Sequence, residues 1–419
     1  MHHFTYLKNE LYCEHVPIKK IAKEVGTPFY LYSHATLKRH FRAFDKAFEG
    51  VKRLICYSAK ANSTHAVLAL LKNLGSGLDI VSGGELFRGV KAGILPDRIV
   101  YSGVGKRIDE IDYALESGIL MFNVESLEEL DLIDQRAGFL GKKAAVAIRV
   151  NPDVDPQTHP YISTGLKKNK FGIDTKTALE GYKSAKSLKN IKIIGIDCHI
   201  GSQITQVQPF KDALKSLVSL ISELKKIGIQ IKYLDMGGGL GIKYDDESPP
   251  QLNEYAKAIV ESLKDTDLQL ILEPGRVIVG NAGILVTRAL FRKSTGAKKF
   301  IIVDAGMNDL LRPTLYDAFH AIWPVVKSGD EFVKADIVGP ICESSDFLAA
   351  DRQVPDVKNG DLIAVMSAGA YGFAMSSNYC SRLRVAEVMV KDDRFHVVTQ
   401  RQGYEDLVRG ESAPSFLKD

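Results

Sequence analysis

From residue 53 onward, short apolar runs alternate with longer stretches in which apolar residues recur at helical spacing. Arg53 to Ser58 (RLICYS) reads as a strand and His65 to Asn73 as a helix. The same alternation continues with Leu78 to Val81 and Gly84 to Ala92, Arg98 to Ser102 and Ile108 to Glu116, then Ile119 to Val124 and Leu127 to Gln135. It runs on through Ala144 to Val150 and Thr177 to Leu188, Ile193 to His199 and Phe210 to Lys226, Tyr233 to Met236 and Leu252 to Leu263, and closes on Leu268 to Leu272. Strands separated by helices of about 10–15 residues imply parallel pairing. Eight such strands over roughly 250 residues predict a closed (β/α)₈ barrel of TIM type. An open, doubly wound sheet is the rival. It calls for a glycine fingerprint at the first strand–helix turn, and here that turn reads Ala59-Lys60-Ala61-Asn62.

After residue 281 the texture changes. Ile284 to Phe291, Phe300 to Asp304, Phe332 to Val338, Asp361 to Ser367, Arg384 to Val390 and Phe395 to Thr399 read as strands, with few helical stretches between them. This predicts a second, β-rich, antiparallel domain of sandwich or barrel type. The expected division is a barrel over 27–280 and a β-rich domain over 281–419. Residues 1–26, which show no clear pattern, are expected to join the latter. The polar stretch Pro152 to Gly172 is long enough for a lid.

Composition adds exclusions. The 419 residues carry 55 Lys and Arg against 51 Asp and Glu, a formal charge of +4, with no dense basic block. Nucleic acid is therefore not an expected partner. No apolar run approaches the ~18 residues of a membrane span. The five cysteines (Cys13, Cys56, Cys198, Cys342, Cys380) are scattered without a C-x-x-C pair, which suits a reduced compartment and gives no metal site. Met1-His2-His3-Phe4 lacks the features of a signal peptide. The expectation is a cytoplasmic protein.

In barrels of this type, catalytic groups gather where the strands end. On that reading the first strand delivers Lys60, the second Asp79 and Ser82, the fifth Arg149 to Asn151, the sixth His199, the seventh Gly237-Gly238-Gly239 and the eighth Glu273-Pro274-Gly275-Arg276. An isolated lysine is ordinarily a surface residue. At a strand end a desolvated lysine loses affinity for its proton and becomes a nucleophile for carbonyl carbon. The glycines are either a tight turn or a place where backbone N–H groups approach a phosphate. Gly275 and the Arg276 guanidinium strengthen the phosphate reading, and no P-loop motif is present. His199 is either a packed core histidine or a flat ring for stacking. Glu273 either pairs with Arg276 or holds a proton at a ring nitrogen. A lysine imine, a phosphate cradle and an acid for a pyridinium together describe pyridoxal 5′-phosphate.

The segments Gly26-Thr27-Pro28-Phe29-Tyr30, Tyr57-Ser58-Ala59-Lys60-Ala61-Asn62 and Asn151-Pro152-Asp153-Val154-Asp155 through His159-Pro160-Tyr161 go further. So do His199-Ile200-Gly201-Ser202-Gln203, Leu311-Arg312-Pro313-Thr314-Leu315-Tyr316, Cys342-Glu343-Ser344-Ser345-Asp346 and Gly369-Ala370-Tyr371-Gly372. With them the chain resembles, over nearly its whole length, the diaminopimelate decarboxylase family, within the alanine-racemase-like class of pyridoxal-phosphate enzymes. The resemblance implies that Lys60 holds the cofactor covalently, that His199 stacks on its ring and that Glu273 faces the ring nitrogen. It places Ser202, Gly238, Gly239, Gly275, Arg276 and Tyr371 around the phosphate. It assigns Arg276, Arg312, Tyr316, Glu343 and Tyr371 to substrate and makes Cys342 the proton donor. It also implies a homodimer with shared active sites, the Cys342–Glu343 segment coming from the partner chain.

The activity implied is decarboxylation of meso-2,6-diaminopimelate to L-lysine. Arg312 suits the distal carboxylate through a bidentate fork, and Glu343 suits the distal amine. Decarboxylation of ornithine, arginine or carboxynorspermidine is the alternative, and it leaves Arg312 without an anion to hold. A racemase of this class is expected to place an arginine where Glu273 stands. A non-catalytic cofactor carrier is expected to lack the β-rich third. The plain alternatives are a surface salt bridge between Arg312 and Glu343, and Cys342 as a small core residue.

Overall fold

The computed structural model describes residues 2–155, 164–165, 169–264, 266–327, 329 and 331–417. His159, Pro160, Tyr161 and much of the expected lid lie outside the described residues. The chain forms two compact units, one of residues 37–280 and one of residues 1–36 with 281–419.

The first unit is the expected barrel. Arg53–Ser58, Gly77–Ile80, Ile99–Tyr101, Met121–Val124, Ala144–Asn151, Ile191–Asp197, Tyr233–Asp235 and Gln269–Leu272 pair in that order. Leu270 opposite Arg53 closes the ring, and every pairing is parallel. A short extra strand, Ile173–Asp174, lies along Ala144–Asn151. The interior is filled by Leu54, Cys56, Val100, Met121, Ala147 and Ile271, all buried. Sequence fixes the helices locally. Ser126 Oγ accepts the Glu129 N–H and starts the helix Leu127–Phe139, whose Leu130, Ile133 and Ala137 face inward. Such a cap contributes about 1 kcal/mol. The helix Leu252–Leu263 has the expected bounds. The sixth strand ends at Asp197, so His199 sits in the following loop rather than in the strand.

The second unit is built around the long strand Gly283–Ser294, which pairs with Phe29–Ser33, Lys299–Val303 and Leu362–Val365. Phe29–Ser33 is buried at every position and belongs to this sheet, so residues 27–36 fall outside the barrel unit rather than inside it. Its partners lie some 250 and 350 positions away (Gly283 opposite Tyr32, Ala386 opposite Phe29), and local pattern carries no sign of them. Residues 1–26 hold strands Phe4–Leu7, Glu10–Cys13 and Val16–Pro17 and the helix Ile18–Val25. Phe4, Leu11, Ile18 and Ile21 pack in one core with Val286, Ala364 and Val388. The unit is not purely antiparallel: Lys299–Val303 runs parallel to Phe332–Val338, and Ala386–Lys391 parallel to Phe29–Ser33. The strand Phe347–Pro355 escapes pattern reading because its alternation is broken, with register shifts against Phe332–Val338. Among the described residues, no helix is long and apolar enough to cross a membrane.

Candidate active site

The rim of the barrel collects the residues that strand ends predicted. Lys60 lies in the single turn Ala59–Ala61 that follows the first strand. Its Nζ is 2.5 Å from Asp79 Oδ2, and Ser58 Oγ donates to the same oxygen at 2.6 Å. The lysine side chain is 34% exposed and Asp79 is fully buried. The residue is thus one-third exposed and held in an ion pair, rather than desolvated as expected.

Three turns meet closely around the glycines. A Cβ on Gly238 would stand 2.2 Å from the Glu273 carbonyl oxygen, and one on Gly239 (φ +107°) would stand 2.4 Å from that of Gly201. Only glycine allows this approach. The Gly238 N–H donates to His199 Nδ1 at 3.1 Å, which places the ring hydrogen on Nε2. Burial, with the positive charges of Arg149 and Lys60, holds the imidazole well below its usual range, so His199 is neutral. Arg149 donates to the His199 carbonyl at 3.3 Å and to Glu125 at 2.7 Å. Arg276 is buried and donates to Ser202 Oγ at 2.9 Å and Tyr244 OH at 2.8 Å.

Glu273 turns the other way. Ser102 Oγ and Asn123 Nδ2 each donate to its Oε1 at 3.4 Å. Carboxylate oxygens of Asp197, Asp235 and Glu273 lie within 4.8 Å of one another in the barrel interior. Burial, then the negative charges of Asp235, Asp79 and Asp197, push the Glu273 carboxyl well above the usual range. Burial pushes Asp235 up to about 6, against the Gly237 N–H that it accepts. Burial and the neighbouring carboxylates thus favour the protonated form at Glu273.

The residues fit pyridoxal 5′-phosphate. The glycine turns leave no room for a side chain where a phosphate must approach, and Ser202 and Arg276 supply donors beside them. Lys60 could offer the amine, His199 a ring face and Glu273 a carboxyl for the ring nitrogen.

The remaining expected residues lie in the other unit. Arg312 opens the short helix Arg312–Tyr316 and is 6% exposed, so it is no partner in a surface salt bridge. Its Nη1 meets His320 Nε2 at 2.9 Å. Cys342 is exposed, not a core residue, and Glu343 accepts from Tyr379 OH at 3.3 Å. Thr314 Oγ1 donates to the Ser345 carbonyl at 2.6 Å, tying the Arg312 helix to the Cys342–Asp346 loop. Asp346 fixes that loop by accepting the N–H groups of Met307 and Ile341, each at 2.6 Å. Tyr316 and Tyr371 are partly exposed, and Tyr371 has φ +55°.

Residues 34–280 match the family described as pyridoxal-dependent decarboxylase, pyridoxal binding domain. A diaminopimelate decarboxylase of Aquifex aeolicus is 52% identical over 410 residues, 97% of this chain and 96% of its own. The chain belongs to the diaminopimelate decarboxylase family. Solved members of the family share the fold. The Helicobacter pylori diaminopimelate decarboxylase complexed with L-lysine has a TM-score of 0.91 at 45% identity, covering 94% of this chain and 98% of that one. The M. jannaschii enzyme in co-complex with L-lysine has a TM-score of 0.94 at 37% identity, covering 99% and 98%. The cofactor of the family is pyridoxal 5′-phosphate, as the strand-end residues had indicated.

Sequence reasoning missed the residues that support these groups: Ser102, Asn123 and Asp235 behind Glu273, Tyr244 beside Arg276, and His320 beside Arg312. For Asn123 and Asp235 a signal existed. Each is a lone polar residue in a strand that is otherwise apolar (MFNV and YLD).

Proposed function

We propose that the protein decarboxylates meso-2,6-diaminopimelate to L-lysine and carbon dioxide. The observation that carries this reading is a buried arginine, Arg312, set beside the Cys342–Asp346 loop through Thr314. A guanidinium fork matches a carboxylate bidentately, and it suits a substrate with a carboxylate at each end. The names of the family's members support the same choice.

Pyridoxal 5′-phosphate, when bound, supplies an electron sink for the pair left behind by the departing carbon dioxide. Lys60 offers the amine that attaches it. Ser202, Gly238, Gly239, Gly275, Arg276 and Tyr371 hold the phosphate. His199, fixed by Gly238 and neutral, lends its ring face. Glu273, whose carboxyl is pushed up by burial and by Asp235, Asp79 and Asp197, can share a proton at its carboxyl oxygens. Arg312 grips the distal carboxylate, Glu343 takes the distal amine, and Tyr316 lines the same end. The Cys342 thiol then gives its proton to the carbon that has lost its carboxylate. In this reading two chains assemble as a homodimer in the cytoplasm, and the Cys342–Glu343 segment serves the partner's barrel.

The test is carbon dioxide release, with and without added cofactor, from meso-diaminopimelate, L-ornithine, L-arginine, L-lysine and carboxynorspermidine. Stoichiometric L-lysine and carbon dioxide from diaminopimelate, well ahead of every other compound, is the expected result. Faster release from any substrate without a distal carboxylate overturns the reading.

A further inference from the structure

His320 is completely buried in the β-rich unit. Both ring nitrogens are engaged: Nδ1 lies 2.8 Å from the Met366 carbonyl oxygen and Nε2 lies 2.9 Å from Arg312 Nη1. These partners dictate the tautomer. A carbonyl only accepts, so Nδ1 carries the hydrogen. A guanidinium only donates, so Nε2 offers its lone pair. An imidazolium has no lone pair to offer and would set like charges face to face.

The backbone holds this ring on three sides. Asp317 (φ +52°) ends the Arg312–Tyr316 helix and turns the chain back, with the Ala318 N–H bonded to the Arg312 carbonyl at 3.3 Å. Arg352, from the strand Phe347–Pro355, donates to the His320 carbonyl at 2.9 Å. The Met366 N–H is bonded to the Ala321 carbonyl at 2.9 Å, so the residue that receives Nδ1–H is itself locked to the residue after His320.

We infer that His320 is the positioning residue for Arg312: a neutral imidazole that aims the guanidinium at the substrate's distal carboxylate without cancelling its charge. A carboxylate in that place would orient the fork equally well, but it would compete with the substrate for the same positive charge. A neutral acceptor fixes one N–H and leaves the net charge in place. The inference rests on the reading of Arg312 given above.

Two substitutions separate orientation from mere packing. His320→Asn keeps a donor for the Met366 carbonyl and removes the acceptor facing Arg312. His320→Gln puts an oxygen near the position of Nε2. The readouts are competition constants on the cofactor-loaded enzyme for L-lysine, which retains the distal carboxylate, and cadaverine, which lacks it. His320→Asn should weaken L-lysine roughly 10- to 100-fold, the usual range for one hydrogen bond to a charged group, and leave cadaverine and cofactor absorbance unchanged. His320→Gln should restore most of the loss. Wild-type behaviour in both variants, or equal weakening of L-lysine and cadaverine, overturns the inference. Arg312→Ala is the control: if it too fails to distinguish the two amines, the substrate reading falls with it, and if only the His320 variants fail, the reading stands alone. Should His320→Asn not fold, ¹⁵N NMR of the wild-type imidazole decides, since an Nε2–H tautomer or an imidazolium excludes the role.

Discussion

Lys60 Nζ and Asp79 Oδ2 stand 2.5 Å apart, and the two partners differ in exposure, the lysine being one-third open and the aspartate sealed in the barrel. Removing the lysine leaves a buried carboxylate without its cation. For a fully buried pair that costs about 3–5 kcal/mol, and the open side of Lys60 reduces it here to roughly 1–3. Lys60→Met should therefore lower the denaturant midpoint of the cofactor-free protein, and Lys60→Met with Asp79→Asn should recover most of the loss. Borohydride treatment of the loaded wild type should place its label on Lys60. A double variant no more stable than Lys60→Met, or a label on another lysine, contradicts this assignment.

Asp309 makes the pH dependence of the other unit measurable. It is 2% exposed, and burial pushes its carboxyl from 3.8 up to about 7, against the Gly306 N–H and the charge of Arg382. The folded state binds this proton more tightly than the unfolded state. Its contribution to stability is complete below about pH 4, is lost as pH rises toward 7, and changes little beyond. Asp309→Asn abolishes the titration. Its stability relative to wild type should therefore rise between pH 4.5 and pH 8, by at most about 4 kcal/mol at ~1.4 kcal/mol per pH unit. Unfolding midpoints at pH 4.5, 6 and 8 check it. A constant difference across that range means that Asp309 does not titrate there.

The barrel, and the gathering of Lys60, the glycines and Glu273 at its strand ends, were legible in the sequence because both follow short-range rules. Strand and helix periods locate the eight strands, and chemistry at strand ends singles out Lys60, Gly238 and Glu273. Lys60 was expected to be desolvated and is instead ion-paired: Asp79 lies 19 positions away, and only the pairing of Ser58 with Asp79 across adjacent strands brings it to Lys60. The placement of Phe29–Ser33 and the partnership of Arg312 with His320 depend on contacts that no local pattern records. His320 also looks like any histidine in a loop, and its meaning appears only with both ring partners in view.

Assembly is testable by complementation. If Cys342 and Glu343 serve the partner's barrel, Lys60→Ala and Cys342→Ala chains are each inactive alone. Mixed and allowed to exchange, they should regain part of the activity, because one of the two sites in a heterodimer keeps both residues. Subunit exchange is verified separately with differently tagged chains. Proven exchange without any recovery places the whole site within one chain.

Arg312 decides the substrate. It is buried, and truncating one partner of a buried charged pair costs about 3–5 kcal/mol, while a charge-assisted hydrogen bond is worth roughly 1.5–3. At ~1.4 kcal/mol per decade, Arg312→Ala should lower kcat/KM for meso-diaminopimelate by roughly two to four orders of magnitude. Arg312→Lys should rescue poorly, because an ammonium cannot reproduce the fork. Cofactor absorbance should be unchanged, since Arg312 is not among the residues proposed to hold the cofactor. Inhibition by L-lysine should weaken far more than inhibition by cadaverine, for only the former carries the carboxylate that Arg312 is proposed to hold. Equal losses for both amines would mean that Arg312 supports the helix it opens, and the choice of diaminopimelate would then lack its structural basis.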